Sequence, residues 1–122
     1  MNILIICNWG KNRSSYLALY LQQKGYEVKF GGVYYEGYNQ ITQNTVDWSK
    51  AIIFIQPQIK KDFLKRLRIN NQKIITLNIE DRMSVLAPDK NELTEKEWNR
   101  IQQKYVYPEL ERQIEKHLPI TK

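Results

Sequence analysis

Met1-Asn-Ile-Leu-Ile-Ile-Cys7-Asn-Trp-Gly-Lys-Asn-Arg13-Ser-Ser15 opens the chain and changes character halfway. Ile3 to Ile6, followed by Cys7, read as a short buried strand. The apolar run stops at a thiol. Six residues later comes Arg13, then Ser14, Ser15 and a helical pattern. The result is a Cys-x5-Arg-Ser spacing set between a strand and a helix.

Such a segment reads as an anion trap. A tight loop entering a helix turns its backbone N–H groups toward a common centre, and the helix N-terminus adds a partial positive charge. Arg13 closes the ring with two parallel hydrogen bonds to a phosphoryl group. Cys7 lies at the floor of the loop, where the same field favours the thiolate. A thiolate beneath a bound phosphate ester is a nucleophile aimed at phosphorus. Ser14 offers a hydroxyl that bonds the sulfur and eases its later departure. An Arg six residues after a given Cys arises by chance about one time in twenty at average usage. The spacing therefore counts only with its context of strand, serine and helix. The competing reading is a buried strand cysteine with a solvent-facing arginine.

Cys7 to Ser14 resembles the signature loop of the cysteine-dependent protein tyrosine phosphatases. Its place at the start of the chain, after the first strand, is similar to the low-molecular-weight class. The Asn12-Arg13-Ser14 ending is closer to a small prokaryotic branch of predicted tyrosine phosphatases with chains about this short. The resemblance implies a two-step reaction through a phosphocysteine, with no cofactor and no metal. It implies Cys7 as nucleophile, Arg13 as phosphate clamp and Ser14 as the hydroxyl assisting the thiolate. Asn8, Trp9, Gly10, Lys11 and Asn12 become backbone donors to the phosphate, with Arg13 beside them. Gly10 stands where the class commonly has Asn in a left-handed conformation, which glycine reaches without strain. Asn12 stands where many members carry a second cysteine.

The rest of the chain supplies the elements of a small α/β domain. Ser14 to Lys24 reads as a helix with Leu17, Ala18 and Leu21 on one face, Tyr20 beside it, and Gly25 as its C′ residue. Tyr26 to Phe30 alternates as a second strand that Gly31-Gly32 ends. Two parallel strands joined through a helix make a right-handed βαβ unit. Residues 33–47 are the least regular, with Tyr34, Tyr35, Tyr38, Asn39 and Gln40 reading as a surface loop or short helix with partly buried tyrosines; the resemblance, in which this region borders the active-site mouth, implies the wall of a substrate pocket instead. Val46-Asp47-Trp48 ends a short helix. Ala51 to Ile55 is an apolar run suited to a strand buried on both faces. Pro57 opens a helix to about Arg68, with Ile59, Phe63, Leu64 and Leu67 facing the sheet. Its other face carries Lys60, Lys61, Lys65, Arg66 and Arg68. That basic face reads as a solvated surface; nucleic acid is a less favoured partner because no aromatic is interleaved to stack on bases. Lys73 to Ile79 is a fourth strand.

Glu80-Asp81 follows that strand, and in open parallel sheets functional groups gather at the carboxyl ends of strands. Ile79-Glu80-Asp81 matches an Ile-x-Asp element of the predicted-phosphatase branch, which makes Asp81 the general acid by resemblance. The low-molecular-weight class proper uses Asp-Pro, whereas Arg82 follows Asp81 here. Asp89, after Pro88, is the reserve candidate. A purely structural Asp81, capping a turn or pairing with Arg82, is the alternative. Thr94 to Glu97 forms a capping box opening a helix. Trp98, Ile101 and Tyr105 share one face of it, Pro108 kinks or restarts it, and Leu110, Ile114 and Leu118 continue the apolar stripe.

The expected architecture is a single phosphatase-like domain over residues 1–122: a three-layer α/β/α fold around a four-stranded parallel sheet. Its strand order 2-1-3-4 is implied by the resemblance. Bulk properties agree. The 122 residues suit one core, and 42% hydrophobic content excludes a disordered chain. No apolar run reaches the length of a membrane span, and the N-terminus lacks the pattern of a signal peptide. One cysteine forms no internal disulfide, which fits the cytoplasm; with one histidine it also argues against a Cys/His zinc site. A net charge of +6 favours an anionic partner, such as a phosphorylated protein, nucleic acid or an acidic surface, without choosing among them, and a merely solvated basic surface is the competing reading; the expected substrate is a phosphorylated protein or small aryl phosphate.

The expected activity is hydrolysis of aryl phosphate monoesters: the resemblance implies protein phosphotyrosine, and a cleft deep enough to place a thiolate below phosphorus favours a long aryl ester over serine phosphate. The alternative is a weak or inactive phosphate- or nucleic-acid-recognition module using the same loop. Related arsenate reductases relay oxidation through further cysteines, which this chain lacks. Cysteine-phosphorylated sugar-transport carriers do not need the Arg clamp.

Overall fold

The computed structural model describes residues 1–7, 12–33, 40–79, 86 and 94–121, with only the backbone of Asn12. Four strands form one parallel sheet: β1 (Asn2–Cys7), β2 (Glu27–Gly32), β3 (Ala51–Phe54) and β4 (Lys73–Thr76). Their spatial order is β2-β1-β3-β4, as expected. The two central strands are the most apolar. Ile3 to Ile6 of β1 and all of β3 are fully buried, as strands covered on both faces require. The edge strands alternate, with Glu27 and Lys29 of β2 exposed, and such charges discourage edge-to-edge pairing.

The helices are α1 (Asn12–Gln22), α2 (Gln43–Trp48), α3 (Pro57–Leu64), α4 (Glu95–Ile101) and α5 (Tyr107–Glu115). The β1–β2 and β2–β3 crossovers run in opposite directions along the sheet. Right-handed connections therefore put α1 on one face and α2 with α3 on the other. α5 joins α1: the Tyr16 and Tyr107 rings stack at 4.0 Å and the Tyr16 hydroxyl donates to Glu111. Burial, with that carboxylate, raises the Tyr16 pKa. On the opposite face Phe63 of α3 meets Phe54 of β3 edge-on at 5.2 Å.

Local signals explain the element ends. α1 begins at Asn12, two residues before the expected start, and buries Leu17, Ala18 and Leu21. It closes in a Schellman turn, with Tyr26 N–H bonded to Leu21 C=O and Gly25 N–H to Gln22 C=O. Gly25 has φ +100°, and a Cβ there would meet nothing, so backbone conformation alone demands the glycine. The Thr94–Glu97 capping box forms in both directions.

Several expectations are corrected. Gly31 and Gly32 do not end β2; they belong to it, paired with Ile6 and Cys7. β4 is regular only to Thr76, although Leu77 and Ile79 still donate to the β3 edge. α3 stops at Leu64 rather than near Arg68, and Leu64 points outward, 52% exposed. Ile59, Phe63 and Leu67 saturate the inward stripe, and Leu64 lies about 100° off Phe63 around the helix. In the C-terminal helix, Tyr105 is exposed and Trp98 and Ile101 are only half-buried, while Gln102 and Val106 point inward. The cause is Pro108, which has no N–H for the Lys104 carbonyl. The chain widens into a π-turn over Gln102–Val106, where Tyr107 N–H bonds Gln102 C=O. That widening shifts the inward register; Leu110 and Ile114 remain buried and Leu118 half-buried.

Candidate functional site

Parallel pairing brings all four strand carboxyl ends to one edge of the sheet, and Cys7 is the last residue of β1 there. Its backbone is fixed by pairing with Gly32, and its carbonyl accepts from Val33 N–H at 3.2 Å. α1 starts five residues on, so Arg13 and Ser14 sit in its first turn. Cys7 Sγ and Ser14 Oγ are 3.1 Å apart, the thiol donating to the hydroxyl. Ser14 is 0% exposed and Cys7 2%, so no solvent competes for this contact.

Among the described residues, four polar or charged side chains are buried: Arg13, Ser14, Ser49 and Gln102. Ser49 is satisfied by the Val46 carbonyl within α2. Arg13 and Ser14 are consecutive and belong with Cys7. Buried polar groups are costly unless paired, so a guanidinium and a hydroxyl concentrated at one helix start make this the candidate site. The electrostatics point the same way. The first turn of α1 has no acidic side chain and instead carries the Arg13 cation, only 9% exposed. A cation at the positive end of a helix reverses the usual arrangement, and an anion bound there turns that cost into a gain.

The neighbouring strands also end at this edge. Gln56, just past β3, donates through Nε2 to the Ile79 carbonyl just past β4. Gln56 has an extended backbone (φ −144°, ψ 153°), as a residue before proline prefers, and its side chain makes no helix cap. The bond locks the β3 and β4 exits together. Sequence reading missed Gln56, and its one signal was a Gln-Pro pair directly after an apolar strand. It also missed Gln102, whose burial follows from the register shift at the π-turn.

Other predicted positions lie outside the described residues. These are Asn8, Trp9, Gly10 and Lys11 of the loop, with the Asn12 side chain, the acid candidates Asp81 and Asp89, and the tyrosine-rich stretch of Tyr34, Tyr35, Tyr38 and Asn39. Among the described residues, no group of three or more His, Cys, Asp or Glu is placed to hold a metal ion. No helix among them is long and apolar enough to cross a membrane.

No family model and no curated protein matches this chain by sequence. Solved structures do match. YwlE arginine phosphatase from Geobacillus stearothermophilus superposes with a TM-score of 0.58 at 17% identity, over 99% of this chain and 97% of that one. A YwlE mutant from Bacillus subtilis gives 0.58 at 12% identity, over 97% and 98%. A low-molecular-weight protein tyrosine phosphatase from Bacillus subtilis gives 0.53 at 11% identity, over 95% and 98%. The chain has the low-molecular-weight phosphatase fold. Near-complete coverage in both directions means that the likeness extends to the C-terminal helices, well beyond the opening strand, loop and helix. Within the low-molecular-weight phosphatase fold, this sequence supplies a thiol, a hydroxyl and a guanidinium at the carboxyl end of β1 and the start of α1.

Proposed function

We propose that residues 1–122 form one cysteine-dependent phosphatase domain that hydrolyses phosphate monoesters through a phosphocysteine. The carrying observation is the buried Cys7–Ser14 contact at 3.1 Å beside Arg13 in the first turn of α1. In this reading Arg13 and the amides of residues 8–12 hold three phosphoryl oxygens and offset the charge that grows on them, without need of a metal. The Cys7 thiolate attacks phosphorus, forming the S–P bond as the ester P–O bond breaks. Asp81 gives its proton to the departing oxygen, with Asp89 in reserve. Asp81 then takes a proton from water as the water oxygen attacks phosphorus. The S–P bond breaks, inorganic phosphate leaves, and the Ser14 hydroxyl reverses its bond to donate to the returning thiolate. The chemistry needs a reduced thiol, which suits the cytoplasm.

Two phosphorylated-protein substrates compete within this reading. Phosphotyrosine fits the resemblance of the Cys7–Ser14 loop. Phosphoarginine, a phosphoramidate cleaved at P–N rather than P–O, is favoured by the likeness to an arginine phosphatase. The first experiment is hydrolysis of a chromogenic aryl phosphate by wild type and Cys7→Ser, with and without vanadate. Vanadate-sensitive turnover that Cys7→Ser abolishes is expected, and turnover retained by Cys7→Ser refutes the thiolate mechanism. Peptides carrying phosphotyrosine or phosphoarginine then separate the substrates. Phosphate binding without turnover by folded wild type would instead support the recognition module.

A further inference from the structure

The outward face of α3 has a pattern that the fold itself does not require. Pro57 to Arg68 carries five cations and one carboxylate, a net +4 out of the chain's +6. Ile59 and Phe63, with Leu67 just beyond the helix, anchor the inner side. Lys61, Leu64 and Lys65 fall at i, i+3 and i+4, which gathers them on the exposed side, and the half-buried Lys60 flanks them. Of Lys60, Lys61 and Lys65, Lys65 has an ion-pair partner among the described residues, Asp62 at 3.6 Å, while Arg66 turns back to donate to the Ile41 carbonyl at 3.2 Å. Arg68 adjoins the end of this face. Its backbone N–H and C=O are both held by the Gln43 side-chain amide, so its side chain starts from a fixed position.

We propose that this face docks an acidic protein segment carrying an apolar side chain among its carboxylates. Leu64 selects that partner. It stands 52% exposed in the middle of the cations, where a polyanion alone gains nothing from it and an apolar side chain gains contact. Nucleic acid is disfavoured because no aromatic shares the face to stack on bases. Helix stability explains only part of the pattern. The dipole favours Lys61 in the last turn of α3 and Lys65 at its C-cap, but the two form a like-charge i, i+4 pair that weakens an isolated helix, and Lys60 and Arg68 lie outside that turn. Opposite charges on a partner remove that repulsion and speed encounter.

This surface is independent of the phosphatase reading, so it is tested by binding. The probe is a fluorescein-labelled peptide with glutamates on both sides of one central leucine, titrated with the full chain and followed by anisotropy. Binding that weakens as salt is added is expected. Leu64→Ser should weaken it about fivefold, and Lys61→Gln with Lys65→Gln about tenfold. A peptide with serine in place of leucine should bind wild type more weakly, yet lose nothing further to Leu64→Ser. All three positions are surface residues outside the candidate site, and circular dichroism confirms folding of each variant. Three outcomes overturn the proposal: no peptide binding at millimolar concentration, Leu64→Ser binding as well as wild type, or a short DNA duplex of equal charge binding more tightly than the peptide.

Discussion

Replacing Ser14 with alanine isolates the contact on which the proposed mechanism turns. In the resting protein the Cys7 thiol donates to Ser14 Oγ at 3.1 Å. Once the sulfur is a thiolate, the hydroxyl is the donor and the bond involves a charge. Hydrogen bonds to charged groups contribute about 1.5–3 kcal/mol. Both atoms are buried, so water does not replace the lost hydroxyl. Up to that amount therefore falls on the step in which the thiolate is expelled from phosphorus, a slowing of at most about 10- to 150-fold. Thiolate attack in the first step is affected differently, because there the bonded sulfur is the ground state and loses rather than gains negative charge. Ser14→Ala should thus convert the enzyme into one that accumulates phosphocysteine. Rapid-quench measurement with an activated aryl phosphate should show a burst of phenol near one equivalent, followed by slow turnover. Added alcohol acceptors should not restore the rate, since the leaving group is unchanged. An unaltered steady-state rate with no burst would refute this role for Ser14. A loss confined to KM would instead make Ser14 part of the phosphate cradle.

Gln102 is 2% exposed and its Nε2 has no hydrogen-bond partner among the described residues, so Gln102→Leu should leave thermal stability unchanged or raise it by about 1 kcal/mol; a large loss in a urea titration would show that the amide is satisfied in solution. Gln113 holds both backbone groups of Asn78, accepting from its N–H at 2.8 Å and donating to its C=O at 2.9 Å, and so ties down the segment just past β4. Because water reaches Asn78, Gln113→Ala should cost only about 1 kcal/mol, or roughly 4 °C in Tm, with faster hydrogen exchange at Asn78. Glu109 is held down to a pKa of about 2 by hydrogen bonds from Arg112 and Gln113. A depressed carboxylate contributes stability that is complete above its unfolded pKa, about 4.5, and is lost as pH falls toward 2. The advantage of wild type over Glu109→Gln should therefore shrink across that window, and high salt should reduce it because the pair is partly exposed.

The sequence by itself determined whatever is encoded over a few residues. The apolar run before Cys7 reads as a strand because four consecutive isoleucine or leucine side chains need cover on both faces. Gly25 marks the end of α1 because a positive φ disfavours other residues, and Thr94 with Glu97 announces a helix start through its own hydrogen bonds. The Cys-x5-Arg-Ser spacing pointed to an anion site, and its strand–helix setting is what the structure holds. Only the tertiary structure decided the contacts between distant segments. Gln56 reaching Ile79, Gln113 clamping Asn78 and Tyr16 stacking on Tyr107 join residues far apart in the chain, and no local periodicity encodes such pairs. The inward register of the C-terminal helix is likewise set after folding. Pro108 removes one hydrogen bond, the turn widens to satisfy the remaining carbonyls, and packing then chooses Gln102 and Val106 over Ile101 and Tyr105. Leu64 points outward for a related reason: Ile59, Phe63 and Leu67 already fill the space against the sheet, so a fourth apolar residue is left to the surface.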